Sequence, residues 1–181
     1  MKKLIVIALM LISGIVAKAQ FSEVHVQASG LTCAMCAKSI FKNLETLSFV
    51  DKIETDLNTS TFVLVVKPSA DVDPDLIRKK VEDAGFAIAG LTLKGRFDGL
   101  AVGNDGHFNY GGQTFHMLTA GDKKIEGDAS MRLVDKSFVS EKDFKKYSKT
   151  TSMECFKTGY AGKCCEKEGI AQGTRIYHVV I

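Results

Sequence analysis

The chain has 181 residues and a formal net charge of +3 at neutral pH. Its 45% hydrophobic and 25% charged residues are ordinary for a folded protein and exclude global disorder. The small net charge, the lack of Trp and the lack of alternating basic and aromatic residues argue against a nucleic-acid-binding protein.

The first 19 residues have the pattern of a secretory signal peptide. Lys2 and Lys3 form a short basic region, and the apolar run over residues 4–17 is too short to cross a bilayer comfortably. Small residues at Ala17 and Ala19 predict cleavage after Ala19. We therefore expect an exported, periplasmic chain that is not stably inserted in the membrane after cleavage; an N-terminal membrane anchor is the alternative.

Residues 21–93 contain a strand, a helix and a hairpin in succession. Apolar and polar residues alternate over 21–29, which predicts a half-buried strand. From residue 37 to about 47 the apolar residues recur at helical spacing and predict an amphipathic helix. Two strand-like runs, over 52–57 and 61–66, flank a turn-like segment and predict a hairpin.

A second helix and a last strand complete this half. Asp73 followed by Pro74 is typical of a helix N-terminus, Gly85 of a helix end, and residues 86–93 of a strand. Right-handed crossovers then place both helices on one face of a four-stranded antiparallel sheet. The predicted fold class is α+β, with a ferredoxin-like βαββαβ order.

The rest of the chain is predicted to be a second domain over residues 96–181, after a junction at Lys94 and Gly95. Glycine-containing turns separate short strand-like runs at residues 96–102, 108–110, 114–118, 131–134 and 174–181. Ser140 with Asp143 predicts one short helix over 141–147. These elements favour a mostly-β domain, with a small OB-like barrel as the expected form.

The chain has five cysteines: Cys33, Cys36, Cys155, Cys164 and Cys165. Paired cysteines in an oxidising compartment are usually disulfides, but an odd number leaves at least one thiol over. Two cysteines lie near the start and three near the end, so we expect two separate local chemistries.

Cys33 and Cys36 span a loop and the first turn of the predicted helix, so both sulfurs can lie on one side. The partial positive charge of a helix N-terminus favours thiolate over thiol. Soft thiolates prefer Cu(I), Zn(II) or Hg(II) to hard cations, and two of them suit near-linear Cu(I) or Hg(II). A structural Zn(II) site would take about four ligands. Met35 as a third ligand and His25 as a ligand are the less favoured interpretations.

Residues 21–93 resemble a heavy-metal-associated domain, the module of copper chaperones, copper ATPase N-termini and the periplasmic mercury-binding protein. The resemblance rests on Gly30-Leu31-Thr32-Cys33-Ala34-Met35-Cys36 and on Ala84-Gly85-Phe86. Leu31 stands where the family has Met as a buried anchor. The resemblance implies that Cys33 and Cys36 bind the metal, and that a copper ATPase or efflux component is the partner.

Other functions fit the same pair of cysteines. A thiol-disulfide oxidoreductase also places Cys-x-x-Cys between a strand and a helix, but its element order differs and it needs a proline-bearing strand. A purely structural disulfide, a mercury-scavenging protein and a metal-responsive adaptor for a ligand-binding barrel are the remaining alternatives. Catalytic triads, paired carboxylates and phosphate loops are not evident in the sequence, so we do not expect an enzyme.

Cys155, Cys164 and Cys165 lie in a stretch over 150–173 that is predicted to be a loop. A disulfide from Cys155 to Cys164 or Cys165 would clip this loop to the barrel. The alternative is a second soft-metal site formed by the thiols. Residues that could join such a site are Met153 and His178, and, only if the fold brings them near, His107, His116 and Met117.

Overall fold

An open β-sheet extends through both halves of the chain. The computed structural model describes residues 20–118 and 123–181, so the predicted signal peptide over 1–19 lies outside the described residues. The described strands are β1 (Phe21–Ser29), β2 (Val50–Asp56), β3 (Thr61–Val66), β4 (Ala87–Val102), β5 (Gly106–Tyr110), β6 (Gln113–Met117), β7 (Lys123–Leu133) and β8 (Ile176–Val180). The helices are α1 (Ala34–Leu44), α2 (Pro74–Asp83), α3 (Glu141–Tyr147) and α4 (Glu154–Thr158), followed by a 3₁₀ turn at Glu166–Glu168.

The first half has the predicted βαββαβ order, which confirms the ferredoxin-like α+β fold. β1 lies between β3 and β4 and is antiparallel to both. Val24 pairs with Leu64 of β3, and both side chains are fully buried because the alternation of β1 turns every second residue toward the helices. Ile40 of α1 and Ile77 of α2 are also fully buried and cover this face.

Two helices begin at the N-cap residues that were predicted from the sequence. Asp73 Oδ1 accepts the backbone N–H groups of Asp75 (2.9 Å) and Leu76 (3.2 Å), with Pro74 as the first helical residue. Ser140 Oγ accepts the N–H of Asp143 at 3.1 Å, and α3 follows as predicted. Because these side chains satisfy otherwise unpaired N–H groups, each helix begins at a defined residue.

β4 continues without interruption through the predicted domain junction. It pairs with β1 as far as Gly95 and with β7 from Thr92 to Val102, so Lys94 and Gly95 lie inside a 16-residue strand. The division into domains at 21–93 and 96–181 stays a prediction, but the two parts share this strand.

The second half is mostly β, as predicted, but the OB-like barrel is not formed by the described residues. The strand order is β2-β3-β1-β4-β7-β8-β6-β5, with β2 and β5 at opposite edges. A closed barrel requires its edge strands to pair, and here β4 instead joins β7 to the first sheet. The stretch predicted to be a loop also contains α4 and the 3₁₀ turn.

One continuous apolar cluster packs along both halves of the sheet. Phe21 of β1 lies beside Tyr110 and Phe115, with ring centroids 4.8 and 5.7 Å apart. Phe115 in turn lies 5.9 Å from Tyr177 of β8. Through residues 20–118 and 123–181, the helices are all too short or too polar to cross a membrane.

Candidate metal centres

The Cys33–Cys36 loop lies between β1 and α1. Gly30 ends β1 with φ of +73°, a conformation that glycine adopts without strain. Cys33 is the N-cap of α1, and its Sγ accepts the backbone N–H of Cys36 at 3.1 Å. This cap starts the helix three residues earlier than predicted and places Cys36 within the first turn.

The two sulfurs are joined as a disulfide in this structure, with the Cα atoms 5.3 Å apart. Cys33 is exposed and Cys36 is half-buried. Two electrons and two protons convert the disulfide into two thiols at the positive end of α1, where the thiolate form is favoured. The oxidised pair cannot bind a metal as two thiolates, whereas the reduced pair can.

Of the other side chains in and near this loop, one contacts the apolar core and the others lie at the surface. Leu31 packs against the apolar core, as the resemblance implies for this position. Met35 points outward and is 72% exposed. His25 lies on β1 with Nε2 3.1 Å from Glu23 Oε2, in a contact at the surface. The loop therefore presents two sulfurs to solvent and keeps an apolar residue underneath.

The three C-terminal cysteines are free thiols, so the disulfide expected between Cys155 and Cys164 or Cys165 is absent from the described structure. Cys155 lies in α4 and Cys165 before the 3₁₀ turn, and both are fully buried. Cys164 is half-buried, with Sγ 3.3 Å from Cys165 Sγ. The sulfurs of Cys155 and Cys165 lie close to histidines on a hairpin of the second half.

That hairpin is formed by β5 and β6, which place His107 directly opposite His116. The two imidazole rings stack with centroids 4.5 Å apart. Cys155 Sγ lies 3.9 Å from His107 Nε2 and 3.9 Å from His116 Nδ1. Cys165 Sγ lies 3.6 Å from His107 Nε2. The fold therefore brings both histidines near the C-terminal thiols, as a shared site would require.

Each of the two imidazoles also has a carboxylate beside its other nitrogen. His107 Nδ1 lies 3.0 Å from Glu168 Oε1, and His116 Nε2 lies 2.8 Å from Asp105 Oδ1. These contacts are close in distance but not aligned as hydrogen bonds. Glu168 Oε2 also accepts the backbone N–H of His107 at 3.1 Å. The remaining ring nitrogens, His107 Nε2 and His116 Nδ1, therefore face sulfur.

Burial controls the protonation of this second cluster. It lowers the pKa of His116 to about 4, and the neighbouring imidazoles of His178 and His107 add to the effect. Burial raises the pKa of the Cys155 thiol well above its usual range. Burial also opposes ionisation of Cys164, but hydrogen bonds from the Cys155 backbone and the adjacent thiols lower its pKa overall. The cluster holds a neutral imidazole at physiological pH.

The other residues considered at the C-terminal thiols have different roles. The ring of His178 lies 5.1 Å from that of His116, but its Nδ1 is 2.8 Å from Asp135 Oδ1. Met117 is buried in the apolar core, and Met153 packs beside the thiols as an apolar neighbour. Among the described residues, the ligand atoms that cluster within 4.8 Å come from His107, His116 and the three cysteines.

A turn signal in the sequence could have located the histidine pair. Gly111 and Gly112 have φ of +54° and +77°, the positive values that a type I′ hairpin turn requires. Tyr110 and Gln113 flank this two-residue turn as partners, and counting outward pairs His107 with His116. The strand-like runs predicted at 108–110 and 114–118 flank this glycine pair, so the turn would have joined them as a hairpin.

The first cysteine pair lies in a segment that matches a known protein family. The heavy-metal-associated domain matches residues 25–87. A copper-exporting P-type ATPase of Bacillus subtilis is 34% identical over 76 residues, which is 42% of this chain but only 9% of the ATPase.

Two solved structures are similar in the same region. The yeast copper transporter domain Ccc2a, solved in apo and Cu(I)-loaded states, is 31% identical, with a TM-score of 0.32 over 35% of this chain and 86% of that domain. The water-soluble region of the P-type ATPase CopA from Bacillus subtilis is 27% identical, with a TM-score of 0.35 over 45% and 54% of the two chains. From the family match, residues 25–87 of this chain are a heavy-metal-associated domain.

Proposed function

We propose that the protein binds one Cu(I) ion through Cys33 and Cys36 outside the cytoplasm, and that it buffers the ion or passes it to a metal-transporting partner without catalysing a reaction. The observation that carries this proposal is the position of the two sulfurs. They lie together on an exposed loop at the start of α1, within a heavy-metal-associated domain.

The donor set and the bacterial relative together favour Cu(I) among the soft ions. Two thiolates give the low coordination number that Cu(I) accepts, whereas a closed Zn(II) site takes about four protein ligands. Hg(II) would fit the same pair, but the matched segment of the bacterial relative belongs to a copper-exporting ATPase. Copper is therefore the ion that the comparison supports.

Exposure of the loop suits transfer to another protein. Cys33 is exposed, so a thiolate of a partner can approach the bound ion before either original ligand leaves. A metal held in this way can move between proteins without being released into solution. A copper ATPase or another efflux component is the proposed partner, in keeping with the bacterial relative.

Replacing both loop cysteines is expected to abolish tight Cu(I) binding. The double variant Cys33→Ser/Cys36→Ser should lose one equivalent of Cu(I) and at least about 100-fold in affinity, because loss of even an outer partner of a ligand costs about 10- to 100-fold. Affinity would be measured on the reduced full chain without oxygen, against a chromophoric Cu(I) chelator. The parent and all variants in this comparison would carry serine in place of the three C-terminal cysteines, so that Cu(I) binding is measured at the loop alone.

Met35→Leu is the matched control, because the side chain lies between the ligands but points to solvent. It should leave the affinity unchanged. The chain oxidised to the Cys33–Cys36 disulfide should bind no Cu(I) until a reductant is added. If the double serine variant keeps the affinity of the parent, Cys33 and Cys36 are not the site.

Export is a second part of the proposal. Ala17 and Ala19 have the small side chains that signal peptidase selects, so the mature chain should begin at Gln20. Intact mass and N-terminal sequencing of the protein from the periplasmic fraction would check this. Ala19→Arg should cause the uncleaved precursor to accumulate. A cytoplasmic protein that retains residues 1–19 would contradict export.

A further inference from the structure

The second cluster has the spacing of a tetrahedral metal site. Zn–S bonds of about 2.3 Å and Zn–N bonds of about 2.0–2.1 Å at tetrahedral angles place N and S about 3.6 Å apart. The three N–S distances here, from Cys155 and Cys165 to the imidazole nitrogens, are 3.6, 3.9 and 3.9 Å. Three of the four N–S pairs of an N₂S₂ donor set therefore already lie at or near the separation that a tetrahedral ion requires.

These donors are buried and come from separate parts of the second half. His116, Cys155 and Cys165 are fully buried, and the His107 side chain is 2% exposed. β5 and β6 supply the imidazoles, while α4 and the turn before the 3₁₀ segment supply the thiols. Such convergence of soft donors on one buried point is unusual for groups that serve only packing, because an apolar side chain would fill the same space without unpaired polar atoms.

The carboxylates complete the arrangement expected around metal-bound histidine. A histidine ligand typically directs its second nitrogen at a carboxylate, which fixes the ring and makes the ligating nitrogen a better donor. Glu168 and Asp105 occupy these positions beside His107 and His116. Both ring nitrogens on that side are buried and without an aligned hydrogen bond, although a carboxylate oxygen lies within 3.0 Å of each.

From these observations we propose that His107, His116, Cys155 and Cys165 form a second metal site, and that its N₂S₂ donor set is suited to one Zn(II) ion. Tetrahedral N₂S₂ sets are typical of zinc among the first-row divalent ions. Cys164 lies at the edge of the site: it contacts Cys165 but is half-buried. The site is independent of the Cys33–Cys36 loop and of the function proposed for it.

The site differs from the loop in what it can do with an ion. Four buried ligands leave no open position for a partner's thiolate, so the ion is held rather than passed on. It would also tie α4 and the 3₁₀ turn to the hairpin, in a stretch with little regular structure. Bound Zn(II) is therefore expected to stabilise the second half of the chain.

Co(II) is the probe for this site, because its absorption reports coordination geometry. The reduced full chain carrying Cys33→Ser/Cys36→Ser would be titrated with Co(II) without oxygen. We expect one equivalent to bind with the intense d–d bands of a tetrahedral ion and a thiolate charge-transfer band, and one equivalent of Zn(II) to remove both. Cys155→Ser and Cys165→Ser should each lower the affinity at least about 100-fold. Lys163→Ala is the matched control, because this exposed side chain lies in the same turn, and it should leave the affinity unchanged.

A second measurement does not depend on how the variants fold. In the unmutated, reduced chain, the buried thiols of Cys155 and Cys165 react with an alkylating agent only when the structure opens. Zn(II) should slow this reaction at both cysteines while Cys164 stays reactive, and a chelator should restore the rate. An octahedral Co(II) spectrum, protection of Cys164 in place of Cys165, or binding of Cu(I) with neither Co(II) nor Zn(II) would each overturn the assignment. The loop cysteines are absent from the titration, and in the alkylation experiment each cysteine is followed separately, so these outcomes leave the proposal for Cys33 and Cys36 unaffected.

Discussion

Asp135→Ala is expected to lower the free energy of unfolding by about 3 kcal/mol. Asp135 is 5% exposed, and its carboxylate serves three donors. Oδ2 accepts the backbone N–H of His178 at 2.9 Å, and Oδ1 lies 2.8 Å from His178 Nδ1 and 3.4 Å from Arg175 Nη1. Alanine leaves the buried groups of His178 without partners, whereas Arg175 keeps Asp75 at 2.8 Å. The expected loss of stability therefore lies at the low end of the range of about 3–5 kcal/mol for removing one partner of a buried ion pair.

Urea unfolding of the reduced chain, in the presence of a chelator, would measure this change without a contribution from bound metal. Asp135→Asn keeps one acceptor oxygen, so it should lose less than the alanine variant. Asp51→Ala removes an exposed carboxylate and should change the free energy by no more than about 0.5 kcal/mol. A loss for Asp135→Ala as small as that of Asp51→Ala would show that the buried carboxylate does not stabilise this region.

Phe115→Ala is expected to cost about 3–5 kcal/mol in the free energy of unfolding, the range for removal of a buried aromatic ring. Phe115 is fully buried, with its ring 5.4 Å from Phe108 and 5.7 Å from Phe21 between centroids. Phe21 belongs to β1 of the metal-binding domain and Phe108 to β5 of the second half. The cavity therefore lies in a cluster that both halves share, and we expect one cooperative transition at lower denaturant concentration.

Leu76→Ala is the control for this variant, since Leu76 is 46% exposed on α2 and its loss should change stability by about 0.5 kcal/mol or less. Unfolding would be followed by circular dichroism and by tyrosine fluorescence. Two separated transitions, with only the second half destabilised, would contradict the shared core and would favour two independent domains.

The sequence was most informative where local chemistry determines structure. Alternation predicted β1, Asp73 and Ser140 predicted two helix starts, and the Cys-x-x-Cys loop emerged from its position between β1 and α1. These features depend on neighbours within a few residues, which one sequence displays directly. The start of α1 was predicted three residues late, because a cysteine is not a usual N-cap and the Cys33 Sγ contact could not be anticipated.

Long-range pairing was the part that the sequence did not reveal. The parallel pairing of β6 with β8 and the continuation of β4 into β7 join residues that are distant along the chain. Short strands carry too little pattern to specify such partners, so an open sheet was mistaken for a barrel. The cluster of histidines and thiols likewise joins distant residues, since Cys155 of α4 lies 3.9 Å from His116 of β6.

The two-glycine turn between β5 and β6 has a consequence for how this chain can vary. Hairpin tips usually tolerate inserted residues. Here the turn length decides which residue of β6 lies opposite His107, and a slip of one residue would carry His116 to the other face of the sheet. A side chain at Gly112 would also come within 3.0 Å of Asp71. Homologues that use both histidines as ligands should therefore keep eight residues between them, however much the surrounding loops differ in length.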